Sequence, residues 1–169
     1  MKLSPADVKW LFEKLRTVDF LSYHSEDELT ELVQSIEKES FHDGEKIIRQ
    51  AQRSKAFYII HKGSVAVWAE TPGGREHLAD LGEGDSFGEV SILTGEVCNA
   101  AVTAKGEAEL FALRPDSLRG IIRANPLIAE KMAQAVAERQ GVRVLGLEPA
   151  MASQATLVEK IKSIFGLSP

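Results

Sequence analysis

A single cysteine, Cys98, leaves this chain of 169 residues without the pair that an internal disulfide needs. Positive charge is also short: the net charge is −5 and no basic run occurs, so a nucleic-acid backbone is not expected as the main partner. There is no stretch of about 18 apolar residues, the length a membrane helix needs, and no N-terminal apolar run with a small-residue cleavage site. These absences predict a cytoplasmic protein with no direct membrane span, although it could be the soluble part of something that has one. Catalytic patterns are missing as well. His24, His42, His61 and His77 show no metal-ligand spacing, and no Ser-His-Asp or Cys-His arrangement stands out. Gly82-Glu83-Gly84 fails the dinucleotide fingerprint because the next glycine is Gly88. Glu76 with His77 is too little for a metal-dependent jelly-roll enzyme. The expectation is therefore no enzyme, no metal and no resident cofactor.

What remains is an ordinary globular composition, 44% apolar and 27% charged, in a length that suits one core. Ser4-Pro5-Ala6-Asp7 reads as a capped helix start, followed by Val8, Leu11, Phe12 and Leu15 at helical spacing. A second start lies at Ser25, where Glu28 completes a capping box ahead of Leu29, Leu32, Val33 and Ile36. From Phe41 to Leu113 the period falls to two, with turns expected at Asp43-Gly44, Lys62-Gly63, Pro72-Gly73-Gly74 and Lys105-Gly106. Val65, Val67 and Ala69 should share one strand face, and Ala108, Leu110 and Ala112 another. Helical period returns after Arg114-Pro115-Asp116 with Leu118, Ile121 and Ile122, then breaks at Asn125-Pro126 before a longer helix to about Gln140. Leu157, Val158, Ile161, Ile164 and Phe165 form a last amphipathic stripe. Short strands at even spacing between helical ends predict an α+β, mainly β fold, a sandwich or jelly-roll barrel flanked by helices.

The stretch from Phe87 to Ala104 carries the chemistry. Gly82, Gly84 and Gly88 allow tight turning, and Gly88-Glu89 leads into Val90, Ile92 and Leu93, which suits one helical turn. Such a turn offers unpaired amides to a phosphate. Glu89 sits at its mouth, either as an acceptor for a ligand hydroxyl or as a helix-start acid favoured by the dipole. A carboxylate beside a phosphate also calls for a positive group.

Phe87-Gly88-Glu89, then Gly95, Ala100, Val102 and Ala104, resemble in ungapped register the phosphate-binding cassette of the cyclic nucleotide-binding domain family. That cassette runs Phe-Gly-Glu, apolar residues, a Gly turn, then Pro-Arg-Ser/Ala-Ala-x-Val-x-Ala. Two further blocks, Phe41 to Ile48 and Ala56 to Val67, resemble the family's first barrel turn and the hairpin after it. The resemblance implies an eight-stranded jelly-roll barrel, a double-stranded β-helix, with hinge and lid helices behind it. It also implies a glutamate that binds the ribose hydroxyl and an arginine that binds the cyclic phosphate. Here the proline position is Val97, the arginine position is Cys98 and the next small position is Asn99, while a usual Gly-Asp/Glu pair has become Ala51-Gln52.

The site expected from the resemblance is Phe87, Gly88, Glu89, Val90, Cys98, Asn99 and Ala100, a sugar site without its phosphate clamp. Cys98 reads either as a small buried hydrophobe or as a thiol touching the ligand, and Asn99 could offer only a neutral amide. A charge-assisted bidentate contact is worth roughly 1.5–3 kcal/mol. Cyclic AMP or cyclic GMP should then bind weakly or not at all, unless Arg53, Lys55, Arg75 or Lys105 reaches the pocket. The expected organisation is a cyclic nucleotide-binding-like domain over 1–145, with N-terminal helices in 5–39, the barrel in 40–114 and the hinge and lid helices in 116–140. A linker and amphipathic helix fill 146–169. The segments ANPLIAEKMAQAVAERQ and LVEKIKSIFGL resemble the end of bacterial domains of this family fused to mechanosensitive-type channels. Expected partners are a cyclic nucleotide or related small molecule and a second copy, channel or effector at the C-terminal helices. A ligand-free interaction or oligomerisation scaffold is the alternative. The 29 residues after Gln140 are too few for the usual winged helix, so no nucleic acid is expected.

Overall fold

The computed structural model describes residues 2–17, 25–88, 92, 97–98 and 100–124. Two helices come first, α1 (Pro5–Leu15) and α2 (Glu26–Ser35), and both begin where their caps predict. The Ser4 hydroxyl accepts from the Asp7 amide at 3.1 Å while Asp7 Oδ2 accepts from the Ser4 amide at 2.9 Å. Ser25 and Glu28 repeat the arrangement at α2. Such reciprocal caps satisfy amides that the first turn leaves without partners. Leu11, Leu15, Leu29, Leu32 and Val33 are buried as their spacing requires, but Val8 stays 38% exposed.

The strands are β1 (Glu37–Phe41), β2 (Lys46–Ile48), β3 (Phe57–Thr71), β4 (Gly74–Leu81), β5 (Ser86–Phe87) and β6 (Ala101–Leu113). Strand structure thus starts at Glu37, ahead of residue 40, because Glu37-Lys38-Glu39 pairs with Ala112-Phe111-Leu110 whatever its own polar composition. All pairings are antiparallel, in the order β1-β6-β3-β4, with β2 on β6 and β5 on β3. Pro72-Gly73 closes the β3–β4 hairpin between Thr71 and Gly74. A last described helix, α3 (Pro115–Ala124), follows β6. The longer helix expected to Gln140 and the amphipathic stripe from Leu157 lie outside the described residues.

Two expected turns are instead bends within strands. β3 runs through Lys62-Gly63 and β6 through Lys105-Gly106, with register shifts between Ile60 and Ser64. Gly63 has φ +85°, and a Cβ there would collide with the carbonyl oxygen of Glu107 across the ladder. A bulge of this kind sharpens local twist, so one sheet can curl around an inner face. That face carries Tyr58, Ile60, Val65, Val102, Leu110 and Phe87, with Val67 packed against them. Ala108, Leu110 and Ala112 share it as expected. The opposite face of β3 and β6 is covered near α1, where Trp10 meets Phe111 at 5.6 Å between ring centroids. Burial on both sides explains the unbroken apolar run Phe57-Tyr58-Ile59-Ile60.

Candidate functional site

Phe87 and Gly88 stand where the sheet hands over to the cassette. Phe87 pairs with Tyr58 in the β3–β5 ladder, and the two buried rings stack at 5.2 Å and 24°. Burial, with the Glu39 charge, pushes the Tyr58 phenol up to about 12 despite Arg114, so it is uncharged at neutral pH. Gly88 has φ +88°, and a Cβ on it would lie 2.7 Å from the Ala56 carbonyl oxygen and 3.0 Å from the Ser54 hydroxyl. Its own carbonyl accepts from the amide of buried Ile92 at 3.4 Å, a bond of helical spacing. Glu89, Val90 and Asn99 lie outside the described residues.

Cys98 is tied to the loop after β2. Its amide donates to the Gln52 carbonyl and its carbonyl accepts from the Ala51 amide, both at 2.8 Å. The side chain is half-buried and packs against the inner-face cluster, and Ala100 is half-buried nearby in sequence. Ala51 holds φ +66° although it is not glycine. The two departures from the family pattern, Ala51-Gln52 and Cys98, are therefore one place in the fold. Where the resemblance expects an acid and an arginine, the residues are Gln52 and Cys98.

Two candidate replacement cations are engaged elsewhere. The Arg75 guanidinium lies 4.0 Å over the Trp68 ring, and Lys105 Nζ donates to Asp80 Oδ2 at 2.9 Å. Both line a concavity of about 350 Å³ with Trp68, His77 and Thr103, and it includes none of Phe87, Gly88, Cys98 or Ala100. Arg53 and Lys55 are exposed in the loop whose Gln52 pairs with Cys98.

A second polar cluster was not legible in the sequence, because its members come from four elements. Lys38 Nζ (β1) lies 2.9 Å from Asp7 Oδ2 (α1) and 3.4 Å from Glu109 Oε1 (β6). His61 (β3) has Nδ1 at 2.7 Å from Glu109 Oε1 and Nε2 at 4.0 Å from Asp7 Oδ1. Burial alone would raise the Asp7 carboxyl, but hydrogen bonds from Ser4 and Lys38 and the Lys38 charge hold it at about 2. Glu109 is likewise lowered, burial being outweighed by His61 and Lys38. Asp7, His61 and Glu109 are close enough together to suggest metal ligands. Their geometry argues otherwise: opposite nitrogens of one imidazole face the two carboxylates, and an ammonium already bridges them.

A curled antiparallel sheet behind a helix pair, with a Phe-Gly step into a small-residue strand, is the architecture of a β-roll. The chain belongs to the cyclic nucleotide-binding domain family, whose model matches residues 38–125. It is similar to cyclic nucleotide-gated channel alpha-4 of Mus musculus, 32% identical over 69% of this chain and 20% of that one. It is also similar to the cyclic AMP receptor protein of Thermus thermophilus, 35% identical over 57% of this chain and 45% of that one. The chain thus spans a fifth to under half of these relatives. The fold matches the regulatory domain of Toxoplasma gondii protein kinase A with cAMP, at TM-score 0.70 and 19% identity over 97% of this chain and 59% of that one. Among the described residues no helix is long and apolar enough to cross a membrane.

Proposed function

We propose that the chain is a non-catalytic, cytoplasmic regulatory module whose ligand pocket is the cassette formed by Phe87, Gly88, Glu89, Val90, Cys98, Asn99 and Ala100, with binding of cyclic nucleotides weakened or lost. The observation that carries this reading is the backbone pairing of Cys98 with Ala51 and Gln52. In this reading a thiol, rather than a guanidinium, stands at the position that the resemblance assigns to the cyclic phosphate. Dividing β3 and β6 at their bends makes the roll eight-stranded, and residues 116–140 supply hinge and lid. Ligand held by Glu89 and the cassette amides then shifts the lid population by no more than its differential affinity for the two states.

The downstream partner in this reading is a channel or effector reached through residues 146–169, in keeping with the channel relative. Titration calorimetry with cyclic AMP and cyclic GMP tests the ligand. Weak heats with a dissociation constant of roughly tens of micromolar to millimolar agree with a lost clamp. Should neither wild type nor Cys98→Arg give heat at millimolar ligand, the scaffold reading replaces the sensor one.

A further inference from the structure

The helix pair holds an apolar groove of about 520 Å³. Val33 and Ile36, at the C-terminal end of α2, reach it from below and are themselves buried, while Leu3, Val8 and Phe12 line it from α1 and the residues before it. Thr30 and Gln34, one turn apart and exposed, form its edge on α2. Leu11 and Leu15 already carry α1 onto the core, and both are fully buried. Val8 and Phe12 form a second apolar row beside them, so α1 is apolar over more of its surface than its docking uses. Val8 is one of three large apolar side chains left exposed among the described residues, which marks the groove as a surface that takes a partner.

The chain itself supplies a partner of matching pattern. Leu157, Val158, Ile161, Ile164 and Phe165 recur at i, i+1, i+4, i+7 and i+8, one apolar face of a short helix. A helix that short is not stable alone in water, so its face needs a surface to fold against. The path of the chain leads toward the groove: α3 packs on α2, and the described residues end with it at Ala124. Residues 141–156, at up to about 3.3 Å each, outreach a helix over 127–140 that rises about 1.5 Å per residue, so the stripe can return to α2. Charge agrees. Helix α2 carries Glu26, Asp27, Glu28 and Glu31 and no basic residue, whereas Lys160 and Lys162 flank the stripe and Glu159 falls opposite it. We propose that the groove between α1 and α2 is the docking site of the chain's own segment 157–165, which lies in it as an amphipathic helix. The docking is independent of the cassette and its ligand, and an effector that takes up the same stripe has to displace it from the groove.

Amide exchange of the full chain reads the contact. Residues 157–165 should exchange about tenfold or more slowly than an unstructured peptide. Val8→Glu, at a position already 38% exposed, should remove most of that protection while β3 and β6 keep theirs. Proximity within one chain is read with Thr30→Cys and Ile161→Cys together in a Cys98→Ala background. At micromolar protein, mild oxidation should close a disulfide inside the monomer, several-fold faster than Thr30→Cys with Glu159→Cys, whose second thiol lies on the opposite helix face. Should Val8→Glu fail to fold, this pair of rates decides. Exchange over 157–165 at the unstructured rate overturns the docking, as does protection that a folded Val8→Glu leaves unmoved. So do equal disulfide rates for positions 159 and 161, and a disulfide that forms only between two chains, which would make the groove an interface between copies.

Discussion

Ala51 takes a backbone conformation that suits glycine better than alanine, and it does so against Cys98. A left-handed residue with a Cβ costs roughly 1–2 kcal/mol. Ala51→Gly should therefore stabilise the fold by about 1 kcal/mol in urea unfolding, with an unchanged m-value. Gly88→Ala should do the reverse, losing about 1–3 kcal/mol, because positive φ and the Ala56 carbonyl both oppose a side chain there. Both positions could be picked out in the sequence, one as a match to the family pattern and one as a departure. Their contact could not: Ala51-Gln52 and Cys98 lie on different loops, and only the fold shows that they are bonded. That contact makes a prediction about charge. A guanidinium placed at 98 gains an orienting partner if an acid is restored at 52, so Cys98→Arg with Gln52→Glu should bind cyclic AMP more tightly than Cys98→Arg alone.

At the scale of elements, local signals served well where the physics is local. The caps at Ser4 and Ser25 and the stripes of α1 and α2 could be read directly, since each bond closes within one turn. Lys62-Gly63 and Lys105-Gly106 were misleading because a glycine pair marks a chain reversal and a bulge alike. The deciding neighbour of Gly63, the Glu107 carbonyl, comes from another strand. Asp7 shows the same limit. It reads as an acid in the first turn of a capped helix and in the fold also completes a capping box with Ser4, but nothing nearby in sequence predicts burial at 4% exposure or the bond to Lys38. A carboxyl held at about 2 in the fold, against an unfolded value of 3.8, contributes about 2 kcal/mol that is fully present above pH 5. That contribution falls away as pH drops through about 4 toward 2, so Asp7→Asn should cost about 2 kcal/mol at pH 7 and much less near pH 2. Chemical unfolding at the two pH values checks both sign and size.

The whole molecule is a roll whose family was legible from three separated blocks, and 38–125 is where the family match falls. The hinge and lid helices expected over 116–140 run beyond the described residues, and the linker and amphipathic helix expected over 146–169 lie outside them. What distinguishes this member from the family pattern is that Gln52 and Cys98, where the resemblance expects an acid and an arginine, are in backbone contact. Calorimetry of cyclic AMP with the wild-type chain, Cys98→Arg and Cys98→Arg/Gln52→Glu is the most direct measurement. The predicted order is weak or absent binding in the first, a gain of about ten- to hundredfold in the second, and a further gain in the third. Micromolar or tighter binding by the wild type, or cyclic AMP affinity left unmoved by the arginine, would contradict it.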